Sequence, residues 1–304
     1  MPFIINRVAA TAALFFVGAI TCVAAEPSAG LLAGGITTHV VAPGDTLFAL
    51  AARLGVDVDT LAADNGLDRR RVLTIGQRLA VDNRHIVATH AAGTDILVNL
   101  PQRMLFFFDG GVVGLPVAVG RRTWPTPISD FRVVTRETEP TWDVPASIRA
   151  EARQRGRSLP ASVPPGPTNP LGRFWIGLSG GAIGLHGTNA PSSIYGAVTH
   201  GCVRLHPDDI AWLFPRVQVG MPVRTVYEPV LLAEVGGQVF LEVHPDVYER
   251  APTSLAAVRA RAADRRLADR IDWTRAARVV ALHHGIARDV TAARTEAGDE
   301  GARP

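Results

Sequence analysis

The spacing of apolar positions divides the chain into segments of different period. His39-Val40-Val41 is a short extended run, and Pro43-Gly44-Asp45 after it is turn chemistry. Thr46 then stands as an N-cap before Leu47, Leu50, Ala51 and Leu54, which recur at three and four and predict a helix stopped by Gly55. Asp57 or Asp59 caps a second helix through Leu61 and Ala62, closed by Asn65-Gly66, and residues 75–81 give a turn and a returning strand. Residues 38–82 therefore read as a compact strand, helix, helix, strand unit. From Thr94 the pattern becomes that of strands: residues 95–100 and 103–108 flank Pro101-Gln102, and Asp109-Gly110-Gly111 turns into the run 112–120. These open a mostly β domain over 94–228.

The proline-rich stretch 121–170 reads as stiff loops that edge a cleft. Trp124, Trp142 and Trp175 are candidates for its lining or for the β core. Residues 229–287 read as a strand at 238–243 followed by two helices: one is capped at Thr253 or Ser254 and carries Leu255, Val258 and Ala262, the other is capped at Asp272 and ended by Gly285. His283 and His284 are adjacent and point to different sides, so they cannot share a metal as an i, i+4 pair would. Small, glycine-rich residues 26–37 read as a linker and 288–304 as a disordered tail. The fold class expected is α+β and multidomain, with a helical C-terminal extension.

Composition narrows the chemistry. Hydrophobic residues make up 47% and charged residues 19% of 304, which argues for packed cores. All 31 basic residues are arginine, so a Walker-A loop, a protein-kinase site and a pyridoxal-phosphate Schiff base are excluded for want of a lysine amine. The formal charge of +3 and the longest basic run, Arg69-Arg70-Arg71, give no nucleic-acid footprint, so neither nucleic acid nor nucleotide is an expected partner.

The two cysteines are Cys22 and Cys202. Cys22 falls in residues 1–25, where Arg7 precedes an apolar run ending Val23-Ala24-Ala25, the pattern of a cleaved signal peptide. The apolar run is short for a membrane span, which needs about 20 residues. Ala19-Ile20-Thr21 lacks the leucine and small residue of a lipid-attachment sequence. The expected location is therefore the periplasm or cell envelope, where thiols normally pair. Processing would leave Cys202 as the one thiol of the chain, which points to intermolecular bonding or a reactive site.

Around Cys202 stand Gly184-Leu185-His186-Gly187-Thr188, Ser192-Ser193-Ile194-Tyr195-Gly196 and Thr199-His200-Gly201-Cys202-Val203-Arg204-Leu205. A thiol needs a base to take its proton, and a nearby cation favours the thiolate. His186 ends an apolar strand that would hold it rigidly. His200 and Arg204 each lie two residues from Cys202, on its face of an extended segment. Gly201 offers an unencumbered amide for an oxyanion, and Arg204 a fork for a carboxylate. A lone cysteine often serves only as a small buried hydrophobe, and two glycine-flanked histidines shift the reading to a nucleophile. His186, His200, Cys202 and His206 would also supply four zinc ligands, but their spacing matches no common zinc pattern; His206, ahead of Pro207-Asp208-Asp209, reads as part of a helix start.

Two resemblances follow from these residues. Thr38 to Leu47, with Pro43-Gly44-Asp45-Thr46, and the closing Leu73-Thr74-Ile75-Gly76-Gln77-Arg78-Leu79 resemble a LysM module, a βααβ unit whose family binds the N-acetylglucosamine-containing glycan of peptidoglycan or chitin. His186-Gly187-Thr188, Ser193-Ile194-Tyr195-Gly196 and Thr199 to Leu205, with Asn169-Pro170-Leu171-Gly172 upstream and Val219-Gly220-Met221-Pro222-Val223 downstream, resemble the L,D-transpeptidase catalytic domain of YkuD type. That resemblance implies a mostly β domain in which Cys202 attacks the peptide stem of peptidoglycan and His186 is general base and acid. It also implies that His200 and Gly201 orient the thiol and build the oxyanion hole, and that Arg204, Thr199, Gly187 and Thr188 bind substrate. No cofactor or metal is implied. The partners implied are peptidoglycan glycan and stem peptides, with a wall-anchored lipoprotein as a further acceptor; water as acceptor would give an L,D-carboxypeptidase, and a degenerate site a binding scaffold. Thr199 stands where many members have serine, and Tyr195 is inserted in a stretch often reading Ile-Gly.

Overall fold

The computed structural model describes residues 31–88, 93–181 and 183–293. The expected signal segment 1–25, with Cys22, lies outside them, as do residues 26–30 and 294–304 of the expected linker and tail. Among the described residues, no helix is long and apolar enough to cross a membrane.

The N-terminal part runs β1 (Leu32–Ala33), β2 (Ile36–Val40), α1 (Leu47–Leu54), α2 (Val58–Asp64), β3 (Arg78–Asp82) and β4 (His85–Ile86). The Thr46 hydroxyl accepts the Ala49 amide and the Asp57 carboxylate accepts that of Asp59, so both helices start at capped ends. β2 and β3 pair antiparallel from Ile36↔Asp82 to Val40↔Arg78, and Leu47, Leu50, Leu61 and Leu79 fill the space between sheet and helices. Residues 31–37 depart from the expected linker: β1 pairs with β4 across Leu32↔Ile86, and β2 begins at Ile36.

The central part holds β5 (Ile96–Asn99), β6 (Met104–Phe108), β7 (Val112–Gly120), β8 (Asp130–Thr138), β9 (Trp142–Asp143), α3 (Ala146–Gln154), β10 (Ser162–Val163), β11 (Phe174–Leu178), β12 (Gly184–His186), β13 (Ala197–Thr199), β14 (Val203–Leu205), α4 (Pro207–Leu213) and β15 (Pro222–Val226). Among the described residues, nine strands form one sheet in the order β13-β7-β14-β12-β11-β8-β15-β5-β6, and β6 also pairs with β7. That second pairing curls the sheet toward a barrel, and Ile96, Leu105, Val117, Ile176, Leu185 and Val203 fill its interior. The stretch 121–170 is more ordered than its prolines suggested, since it contains β8 and α3. Pairing with β11 and β15 on either side supplies β8 with partners its own sequence does not announce.

The C-terminal part is β16 (Val230–Val235), β17 (Gln238–Val243), α5 (Leu255–Asp264), α6 (Trp273–Leu282) and β18 (Arg288–Asp289). Ser254 and Asp272 cap the helices, and His283, rather than Gly285, closes α6 in the left-handed conformation. The expected tail does not begin at 288: β18 pairs with β17 through Leu241↔Arg288. Just before it, Ile286 is fully buried in the core of the N-terminal helices, and the Ala287 amide donates to the Arg84 carbonyl. Arg288 reaches Asp64 and Asp82 at 2.8 and 3.3 Å. Residues 284–288 thus stitch the first part of the chain to the last.

Candidate active site

Two neighbouring strands bring the histidine to the cysteine. β12 and β14 run parallel with Leu185 opposite Val203 and His186 opposite Arg204. Cys202 immediately precedes β14, and the backbone of Gly184 hydrogen-bonds its sulfur. Nothing larger than glycine fits there: a Cβ on Gly184 would come within 2.6 Å of the Ile176 carbonyl oxygen and of the Trp175 ring.

His186 is only 3% exposed and stacks on Trp175, with ring centroids 6.0 Å apart. Its Nδ1 lies 2.6 Å from the Gly187 carbonyl oxygen. A carbonyl only accepts, so the proton is on Nδ1 and Nε2 keeps its lone pair. Burial first, and the positive charge of Arg204 second, hold the imidazole down to about 3, so it is neutral near pH 7. Burial pushes the Cys202 thiol up, against the opposing pull of the Gly184 hydrogen bond and Arg204. The resting pair is accordingly a neutral thiol and a neutral imidazole. A neutral thiol beside a neutral imidazole is the starting pair that general-base chemistry requires.

The loop into Cys202 is tightly tied. Gly201 adopts φ 113°, a conformation that favours glycine, and its carbonyl accepts the Thr126 hydroxyl at 2.8 Å. The Thr199 hydroxyl donates to the Cys202 carbonyl at 2.6 Å and accepts the Gly201 amide at 3.2 Å. The Gly201 amide is therefore not the unencumbered donor expected, because a buried N–H takes a partner, and Thr199 supplies it. Thr199 acts as a strut inside this loop.

Cys202, His186, His200, Thr199 and Arg204 line one cavity of about 440 Å³, with Trp142 and Trp175 in its wall. Arg204 is largely buried; its Nη1 donates to the Ser193 hydroxyl at 2.8 Å, and burial lowers its pKa. Gly187 and Thr188 line a different, adjoining cavity of about 520 Å³. The Thr188 hydroxyl accepts the Ala190 amide there, so these two residues stand apart from the thiol's cavity. Tyr195 turns away from the cleft: its hydroxyl donates to the Gly285 carbonyl, and Arg103 lies over its ring at 4.1 Å. His206 caps α4, its ring accepting the Asp208 amide, as read from its position before Pro207.

Glu151, Arg121 and Trp124 also belong to the site's surroundings. Trp124 was a cleft candidate, and it meets the edge of the His200 ring at 5.1 Å between centroids. Glu151 and Arg121 lie outside the residues to which the sequence pattern points. Glu151 lies on α3, whose run Ala146-Ser147-Ile148-Arg149-Ala150-Glu151-Ala152 follows Pro145 and is rich in helix formers, a signal available in the sequence.

Elsewhere, the described residues hold one grouping with metal-ligand chemistry, His85, Glu242 and His244, whose donor atoms lie within 4.8 Å of one another. Hydrogen bonds already occupy it. Glu242 Oε1 lies 2.8 Å from His85 Nδ1, 2.7 Å from His244 Nε2 and 2.8 Å from Gln102 Nε2, and Oε2 accepts the Ile86 amide at 2.6 Å.

Comparison with known proteins matches residues 93–225 to the L,D-transpeptidase catalytic domain (YkuD) and residues 39–82 to the LysM domain. The chain is 39% identical over 154 residues to the probable L,D-transpeptidase YbiS of Escherichia coli, covering 49% of this chain and 50% of that one. It is 34% identical over 226 residues to the probable L,D-transpeptidase ErfK/SrfK of Salmonella typhimurium, covering 72% of each. The match thus spans half the length of the first relative and nearly three quarters of the second. Among solved structures, the catalytic domain of the Enterococcus faecium L,D-transpeptidase is 22% identical and matches 45% of this chain and 100% of its own, with a TM-score of 0.36.

Proposed function

The chain belongs to the L,D-transpeptidase family, and on that premise we propose that it is an exported cell-wall acyltransferase that works through a thioester on Cys202. The observation that carries this reading is that His186 lines the same cavity as the Cys202 thiol, with its Nδ1 on the Gly187 carbonyl so that Nε2 is the nitrogen left to act as base.

The stem peptide of peptidoglycan enters this cavity, and Arg204 holds its carboxylate. The Cys202 sulfur attacks the carbonyl before the terminal D-alanine while His186 Nε2 takes the thiol proton. Charge developing on that oxygen is met by the loop at His200 and Gly201; the oxyanion replaces the long bond from the Gly201 amide to Thr199. His186 returns the proton to the departing amine of D-alanine, leaving a thioester. An acceptor amine, such as the side chain of diaminopimelate, then attacks the thioester, loses its proton to His186 and frees the thiol. A lipoprotein lysine as acceptor gives anchorage, and water gives an L,D-carboxypeptidase. Gly187 and Thr188, in the adjoining cavity, contact substrate on the far side of His186. The N-terminal LysM module holds the enzyme on the glycan, and the leader over 1–25 directs it out of the cell.

The test is mass analysis of tetrapeptide-bearing muropeptides incubated with the protein. Release of D-alanine with formation of crosslinked or exchanged products is expected from the native chain, and none from Cys202→Ala. Full activity in Cys202→Ala would overturn the mechanism, and sacculus binding without products, unaffected by Cys202→Ala, would favour a scaffold.

A further inference from the structure

His200 precedes the nucleophile by two residues, and its ring is held by Glu151 and Trp124. Its Nε2 lies 2.6 Å from Glu151 Oε2 on α3. Both oxygens of Glu151 also accept from Arg121 Nη2, at 2.5 and 2.6 Å, and Arg155 Nη2 lies 2.6 Å from Oε1. Trp124 closes the remaining side. Arg121 Nη2 is itself 3.1 Å from His200 Nε2. The short contact to a carboxylate oxygen, which only accepts, requires the proton on Nε2 to point at Glu151, so Arg121 serves the carboxylate and not the ring.

The carboxylate comes from a segment that also covers the cavity. Trp142, Pro145 and Ile148, from the stretch leading into and along α3, stand in the wall around Cys202. Arg121 follows β7, and its amide donates to the Thr199 carbonyl at 3.0 Å, so the anchor of Glu151 is bonded to the same loop that carries His200. Glu151 therefore closes a ring of contacts that joins the cavity cover to the nucleophile's loop.

We propose that Glu151 is a positioning residue for the transfer reaction: by fixing the His200 ring and tying α3 to the Thr199–Cys202 loop, it sets the geometry in which the thiol meets its substrate. The proposal deepens the acyltransferase reading and rests on it for the reaction. His200, Arg121 and Arg155 are the titratable and charged groups that face Glu151. The pair to the imidazole is worth more than its exposure suggests, because its loss acts on attack geometry, where a small misplacement costs up to about a hundredfold in rate.

The experiment compares Glu151→Ala, Glu151→Gln, His200→Ala and the double variant in stem-peptide transfer and in alkylation of Cys202 by iodoacetamide, and the native chain with the two Glu151 variants in the nitrogen-15 spectrum of the His200 ring. Glu151→Ala is expected to lower kcat about ten- to a hundredfold with KM and thermal midpoint little changed. Glu151→Gln, whose carbonyl oxygen still accepts from Nε2, should recover most of that loss. The double variant should be no slower than His200→Ala, since the two residues act as one unit. Unchanged kcat and unchanged alkylation in Glu151→Ala would overturn the proposal, and so would losses that multiply in the double variant. If the native chain transfers no stem peptide, the acyltransferase reading fails separately. A changed alkylation rate and a shifted His200 spectrum in Glu151→Ala would then still support the positioning role, and their constancy would overturn it.

Discussion

His85 Nδ1 lies 2.8 Å from Glu242 Oε1, joining residues 157 positions apart in a fully buried ion pair. The other ring nitrogen of His85 donates to the Gly55 carbonyl at the end of α1, and Gln102, beside the barrel, donates to the same carboxylate. One side chain from the C-terminal sheet thereby serves the N-terminal helices and the barrel together. Removing its charge strands His85 among groups that expect an anion. Glu242→Gln should destabilise the chain by about 3–5 kcal/mol, read as a lower midpoint in urea unfolding.

Ile286 makes the complementary connection through apolar packing. It is fully buried in the cluster of Leu47, Leu61 and Leu79 and not in the cluster of its own helix pair. Ile286→Ala should cost about 2–5 kcal/mol. Hydrogen exchange should accelerate most in α1 and α2, because the core that opens is theirs. Loss of protection confined to α5 and α6 would show that the segment 284–288 does not clamp the N-terminal part.

Acid should weaken the fold over two overlapping pH windows. His186 is held at about 3 against an ordinary 6.5, so the unfolded chain binds its proton first, and stability falls as pH drops through that window. His244, lowered mainly by burial, acts in the same direction. Burial alone would raise Glu242, but His85 and His244 outweigh it and hold the carboxyl at about 2, so its contribution is complete above 4.5 and lost as pH falls toward about 2. Unfolding free energy measured against pH should therefore decline from about 6.5 and steepen below about 4.5. His186→Gln should reduce the slope of that curve between about 6.5 and about 3.

The neutral resting state of the thiol also has a kinetic signature. His186→Ala should lower transfer about a hundred- to ten-thousandfold in kcat, the usual weight of a general base, with a small change in KM. Because burial pushes the Cys202 thiol up, its alkylation should rise only as pH climbs above the ordinary thiol range. A plateau of fast alkylation below that range would mean a preformed thiolate and a different opening step.

Local order was legible wherever it depends on neighbours in sequence. Thr46 and Asp57 cap their helices, and Leu47, Leu50 and Leu61 are buried at the spacing that announced them, because caps and helical periods are satisfied within a few residues. The runs at 95–100 and 103–108 contain β5 and β6, since a short apolar run and the turn that ends it are local as well. The stretch 121–170 was less legible. β8 is a strand because β11 and β15 flank it, and α3 matters because its Glu151 meets a histidine 49 positions away.

The candidate site divides along the same line. The sequence determined its chemistry: one thiol among the described residues, two histidines and an arginine within a short span, and a backbone with no lysine to offer a rival amine. Only the tertiary structure decided which of those groups share a cavity. It brings Cys202, His186, His200 and Arg204 to one wall, moves Gly187 and Thr188 to the next, and turns the Gly201 amide to Thr199. It also turns residues 284–288 from the edge of a tail into the clasp between the two ends of the chain. Residue types fix what a group can donate or accept. Proton positions, burial and pKa depend on atoms brought near from elsewhere in the chain, which no local pattern encodes.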